Sequence, residues 1–226
     1  MRKLLPLLLI CFVLPAAEPS ALIQNLDAGR KQHLVTYGTS LTEGGAWVSQ
    51  LKALLEKKYP GLITVTNSGK SAMWSKWGVD NLDERILKKN PDTVLIEFAI
   101  NDAFLQYKTS VEAARANLEN MIDRILKQHP KCEIILMTMN PPVREHLQRR
   151  PKIEEYYQMY RDVAAQRKLR LVDHYVTWKA ILDKDPAKFN ELVPDGIHPG
   201  PKGCETVIAP ALEAALFGKT PTKSER

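Results

Sequence analysis

Thr93-Val94-Leu95-Ile96 and Ile134-Ile135-Leu136-Met137 are apolar without a break, the pattern of strands covered by helices on both faces of a parallel sheet. Between them, residues 110–128 set Val111, Ala114, Leu118, Met121, Ile122 and Ile125 on one helical face and turn Glu112, Glu119 and Asp123 outward. Outward from this centre, strand and helix patterns keep alternating. Strands are expected at 33–37, 63–67, 93–99, 133–139 and 170–173, and helices at 46–59, near 79–89, at 110–128, at 153–167 and from about 201 to 216. The expected fold is a three-layer α/β/α domain around a doubly wound, parallel, five-stranded sheet. Such sheets bind ligands beyond the carboxyl ends of their strands, near the point where strand order reverses. The residues just after each strand are therefore the ones to read for chemistry.

The 226 residues suit one such domain, and 44% hydrophobic with 26% charged residues is ordinary globular usage, which excludes a disordered, collagenous or low-complexity chain. The start has the order of a secretory signal peptide: a basic Met1-Arg2-Lys3, an apolar stretch over 4–14, then Pro15-Ala16-Ala17. That stretch is shorter than the roughly 20 residues that span a bilayer. The expected organisation is a leader at 1–17, a polar lead-in at 18–32, the domain at 33–217 and a flexible tail at 218–226. The product would be secreted or periplasmic, without stable membrane insertion. Lipidation at Cys11 is disfavoured, because Leu8-Leu9-Ile10 lacks the small residue that normally precedes a lipidated cysteine.

Most of the formal charge of +6 sits in the leader and tail, and the body between them carries 27 basic against 25 acidic residues. No clustered basic face or nucleic-acid motif accompanies it, so a nucleic-acid partner is not expected. Cys132 and Cys204 lack metal-ligand spacing; they could pair in an oxidising compartment, but the favoured reading is two small buried apolar residues. No metal and no organic cofactor is implied.

The strand ends carry Gly38-Thr39-Ser40-Leu41-Thr42, Asn67-Ser68-Gly69 and Asn101-Asp102, and Asp195-Gly196-Ile197-His198 lies near the end of the chain. A serine on a strand-to-helix turn exposes its hydroxyl, but that hydroxyl needs a base to become nucleophilic. His198 is the candidate base, and Asp195, on the same tight turn, can fix the imidazole tautomer. The Ser40 and Gly69 backbone N–H groups and the Asn101 amide are candidate donors to an oxyanion. Singly, each has an ordinary reading as a helix cap, a turn glycine, loop chemistry or a solvated histidine. Together, at successive ends of one sheet, they favour catalysis. His146, in the loop after the fourth strand, is the rival base.

These blocks resemble those of the SGNH, or GDSL-type, hydrolases, and the resemblance covers nearly all of the chain after residue 17. It implies a flavodoxin-like serine esterase with Ser40, Gly69, Asn101 and His198 as signature residues and Asp195 completing the triad. Thr39 stands where that family usually has Asp, and Ala99 where it usually has Gly. The resemblance, the leader and the tryptophans together suggest a carboxyl-ester hydrolase acting on a small-molecule or oligosaccharide ester and removing short acyl groups, foremost acetyl, from carbohydrate. The alternatives are a lysophospholipase or thioesterase, or a carbohydrate-binding domain without catalysis. Trp74, Trp77 and Phe104, with Tyr107 nearby, are candidate substrate contacts, although a tryptophan also commonly plugs a core. Arg144, with Arg149 and Arg150, offers cations to an anionic substrate, or is simply a solvated charge run. The long apolar lid of a true lipase is not in evidence.

Overall fold

The computed structural model describes residues 18–218; the leader and residues 219–226 of the expected tail lie outside the described residues. Five parallel strands form one sheet: β1 (Gln32–Gly38), β2 (Ile63–Asn67), β3 (Thr93–Glu97), β4 (Glu133–Thr138) and β5 (Arg170–Asp173), in the order β2-β1-β3-β4-β5. The chain runs outward from β1 to β2 and then returns past β1 to β3. The switch point therefore lies between β1 and β3, where a crevice opens at the carboxyl ends.

Helices Ala21–Asp27, Ala46–Lys58 and Ala209–Phe217 cover one face of the sheet, and Ser75–Asp80, Val111–Gln128 and Ile153–Arg167 cover the other. Helix Val111–Gln128 shows why these segments are helical. The Ser110 hydroxyl accepts the Ala113 N–H at 3.2 Å as an N-cap, and Ala114, Leu118, Met121, Ile122 and Ile125 form its buried stripe. Its partner strand β3 is buried at every position, including Glu97, the one charged residue in it. Cys132 and Cys204 are free and buried, and no helix among the described residues is long and apolar enough to cross a membrane.

Five segments differ from the sequence expectation. Residues 18–32 are not merely a polar lead-in, because Ala21–Asp27 is a helix that buries Leu22, Ile23 and Leu26. Its one short turn of apolar residues is too brief to register as periodic, yet the Ser20 hydroxyl caps it and Glu133 Oε2 accepts the Leu22 N–H at 3.0 Å. The single helix expected near 79–89 is instead Ser75–Asp80, Leu82–Arg85 and a 3₁₀ turn at Leu87–Lys89, which ends at Asn90 in the left-handed region (φ 50°). β3 stops at Glu97, and Ala99–Asp102 already turns as a helix. Two further helices, His174–Lys184 and Pro186–Leu192, fill the connection before Asp195. The second starts on a recognisable signal: Asp185 accepts the Lys188 N–H at 2.9 Å and Pro186 opens the first turn. The last helix also widens into a π turn over Cys204–Ile208, two residues before Pro210, which has no N–H to give the carbonyl four residues back.

Candidate active site

Ser40 sits on the turn that leaves β1. Thr39 caps the short helix Ser40–Glu43, its hydroxyl accepting the Leu41 N–H at 3.2 Å. Beneath the turn lies Glu97 from the end of β3, only 2% exposed. Its Oε1 accepts the Thr39 N–H at 2.7 Å, the Thr39 hydroxyl at 3.0 Å and the Thr42 hydroxyl at 2.6 Å. Gly38 has to be glycine here, because a Cβ on it would lie 2.2 Å from Glu97 Oε1. Burial lifts the Glu97 carboxyl to about 7 against the opposing pull of those hydrogen bonds. Sequence reasoning missed Glu97 by counting it within an apolar strand. A charged residue in an otherwise continuous apolar run was the available signal.

The second half of the site comes from the turn at residues 195–198. The Ser40 hydroxyl lies 2.8 Å from His198 Nε2, and His198 Nδ1 lies 2.6 Å from Asp195 Oδ2. The other Asp195 oxygen accepts the backbone N–H groups of Ile197 at 3.0 Å and His198 at 2.8 Å. Burial works against ionisation of Asp195, but these donors and the His198 ring outweigh it and hold the carboxyl below its ordinary value. An ionised Asp195 assigns the proton to Nδ1, which leaves the Nε2 lone pair to accept the Ser40 hydroxyl proton. His146 is not in this relay; it lies 3.7 Å from Glu145, and burial lowers its pKa.

The loop after β4 holds the turn in place. Val143 N–H donates to Gly196 O at 2.9 Å, Asn140 Nδ2 to Ile197 O at 3.0 Å and Arg144 Nη2 to Pro194 O at 2.9 Å. Arg144, expected as a substrate contact, is exposed, and one of its N–H groups is committed to the Pro194 carbonyl. Its own backbone (φ 56°, ψ −134°) is strained for a residue with a side chain.

The three expected oxyanion donors differ in how far the fold already occupies their N–H groups. The Ser40 N–H is the first amide of its helix and has no acceptor within it. Asn101 is buried in helix Ala99–Asp102, and its Nδ2 gives one hydrogen to Met73 O at 2.9 Å, which leaves the second available. The Gly69 N–H donates to Asn67 Oδ1 at 2.9 Å, a bond that a role toward an oxyanion would have to share. Packing also requires glycine here, since a Cβ would lie 2.6 Å from the Glu43 amide nitrogen. Glu43, missed in the sequence, fastens the same loop by accepting the Ser71 N–H at 2.8 Å. The hydrogen bonds from Ser71 hold its carboxyl well below the usual range.

The sequence profile of the GDSL-like lipase/acylhydrolase family matches residues 35–205. The chain belongs to this family. The GDSL-like acylhydrolase is accordingly a carboxylic ester hydrolase. Among similar solved structures is the acetylxylan esterase Axe2 of Geobacillus stearothermophilus, at 22% identity over 85% of this chain and 98% of that one, with a TM-score of 0.72. A GDSL-like lipase from Parabacteroides merdae is 18% identical over 84% and 97%, with a TM-score of 0.74. At these identities the likeness is one of fold. No curated protein matches by sequence.

In this GDSL-like acylhydrolase a cavity of about 260 Å³ opens beside Ser40 and His198, walled by Leu41, Trp47, Cys204 and Ile208 among others. None of the four expected substrate contacts lines it. Trp77 belongs to the core side, 6.1 Å from the Tyr37 ring and under the Arg85 guanidinium at 5.3 Å. Trp74 stacks on Tyr107 at 4.4 Å and 8°, with Phe104 edge-on to Tyr107 at 5.3 Å. This aromatic group adjoins the Met73 carbonyl that holds Asn101. Trp47, which does line the cavity, read in the sequence only as a helix-face residue.

Glu97 gives a pH prediction. Its folded pKa of about 7 lies above the ordinary 4.5, so its contribution to stability is complete below about 4.5 and lost as pH rises through about 7. Glu97→Gln keeps the accepting oxygen and cannot ionise. Urea unfolding is expected to show the variant matching the native protein at pH 5 and exceeding it by about 1–3 kcal/mol at pH 8. Parallel profiles for the two proteins would show that Glu97 titrates normally.

Proposed function

We propose that this esterase works through an acyl-enzyme on Ser40, with His198 as general base and Asp195 as its orienting carboxylate, and that it removes short acyl groups from carbohydrate. The observation that carries this reading is the relay at the sheet's switch point, 2.8 Å from Ser40 Oγ to His198 Nε2 and 2.6 Å from Nδ1 to Asp195. In the first step Ser40 Oγ bonds to the ester carbonyl carbon while its proton passes to His198 Nε2. The negative oxygen that forms is held by the Ser40 N–H and the free Asn101 N–H. The carbon–oxygen bond to the alcohol then breaks, and imidazolium returns its proton to the departing alcohol. Water attacks the acyl-enzyme by the same route, its proton going to His198 and then to Ser40 Oγ as acid is released.

The preference for acetyl and sugar has separate support. The cavity walls Leu41, Trp47, Cys204 and Ile208 are almost completely buried by their neighbours, which suits a short acyl group better than a long chain. The half-buried Trp74 and its Tyr107 stack offer a flat apolar face to a sugar ring. Solved proteins of similar fold include the acetylxylan esterase Axe2. Export is part of the proposal, and the basic and apolar start supports it. Glu18 is also tied into the body, its carbonyl accepting Arg170 Nη2 at 2.9 Å.

Hydrolysis of 4-nitrophenyl acetate is expected to exceed that of the octanoate, with acetate released from acetylated oligosaccharides. Ser40→Ala should lower kcat by on the order of 10⁴-fold or more. Undiminished turnover by that variant would end the acyl-enzyme reading, and a preference for octanoate would replace the short-acyl reading with a lysophospholipase or thioesterase. Protein recovered from outside the cytoplasm should begin at or near Glu18. Retention inside the cell with Met1 and the leader intact would contradict export.

A further inference from the structure

We infer that Arg150 is a positioning residue for the Asn101 amide, fixing which way it faces and strengthening its free N–H toward a negative oxygen. The inference rests on the proposed role of Asn101 as an oxyanion donor. By sequence Arg150 closes a charge run that suits a solvated surface. The structure divides that run: Arg149 is exposed, whereas Arg150 is 6% exposed. Its Nε donates to Ile100 O at 2.7 Å and its Nη2 to Asn101 Oδ1 at 3.1 Å, while the guanidinium lies over the Phe104 ring at 4.7 Å. Among the described residues these partners include no carboxylate. A buried cation without a counter-ion is costly to hold, so its place against the oxyanion donor calls for a reason.

Chemistry supplies one. Guanidinium only donates, so it accepts no orientation of Asn101 other than the one that presents Oδ1. On the other side Met73 O only accepts, and it takes one Nδ2 hydrogen at 2.9 Å. Between them they exclude the flipped amide and leave a single N–H unspent. The bond to Oδ1 is charge-assisted and polarises the amide, making that N–H a better donor. The benefit appears where negative charge develops on the substrate oxygen, so it falls on kcat and leaves KM largely alone. Lysine would supply charge but not the fork that reaches both Ile100 O and Asn101 Oδ1.

The test is a double-mutant cycle on 4-nitrophenyl acetate hydrolysis, with thermal unfolding of every variant. Arg150→Met is expected to lower kcat about 10- to 100-fold with KM within about 2-fold, and Arg150→Lys to recover part of the loss. Asn101→Ala alone should cost about 10²–10³-fold, and adding Arg150→Met to it should cost little more. Native kcat in folded Arg150→Met beside an impaired Asn101→Ala would overturn this inference alone. So would losses that multiply in the double variant. Native kcat in Asn101→Ala would overturn the oxyanion reading itself and the inference with it. If Arg150→Met does not fold, Arg150→Lys decides: reduced kcat at unchanged KM supports the inference, and native kcat refutes it.

Discussion

The hydrogen bond between Ser40 and His198 joins side chains 158 positions apart, and it exists only if the sheet winds in one order. Ser40 must leave β1 at the switch point, and the last connection must return across the same edge to present His198. The register that pairs Gly38 with Glu97 sets the height of the Ser40 turn. A larger residue at 38 would strike the Glu97 carboxyl, and a slipped register would move that carboxyl away from Thr39 and Thr42. The catalytic geometry is in this sense a consequence of strand pairing, and each loop around it serves to hold that consequence still.

Holding it still requires groups that a core would otherwise exclude. Glu97 and Asp102 are buried carboxyls, and burial raises both to about 7. Asp102 accepts the Ser75 N–H at 2.9 Å and so ties the Trp74 segment to the residue next to Asn101. Arg150 is a buried cation, and Arg144 adopts a strained backbone while bracing the residues around Asp195. Each is unfavourable by itself, and each touches a segment that carries a reacting or donating group. Departures from comfortable local structure that gather at one place are the usual mark of a site built for function.

The sequence made the frame legible because strands buried on both faces leave a plain signature. The expected limits of β2, of β5 and of helix Ile153–Arg167 coincide with those observed. Ser40, Asp195 and His198 were legible because each follows a strand or occupies a short turn whose chemistry is local. What was not legible depends on partners distant in the chain. Leu22, Ile23 and Leu26 form too short an apolar group to announce a helix until the core receives them. Likewise nothing near Trp77 tells that its ring meets Tyr37 rather than substrate. Arg149 and Arg150 are identical as residues and opposite in fate, because only the second faces Ile100 and Asn101.

The central claim is that one hydroxyl is made nucleophilic by an imidazole from the far end of the chain. Its most direct measurement is the site of covalent labelling by a fluorophosphonate, read by peptide mass spectrometry in the native protein and in His198→Ala. The account predicts a single stoichiometric adduct on Ser40 that forms at least about 10²-fold more slowly without the imidazole. An adduct on Ser68, Ser71 or another residue while Ser40 stays unmodified, or labelling indifferent to His198, would contradict it.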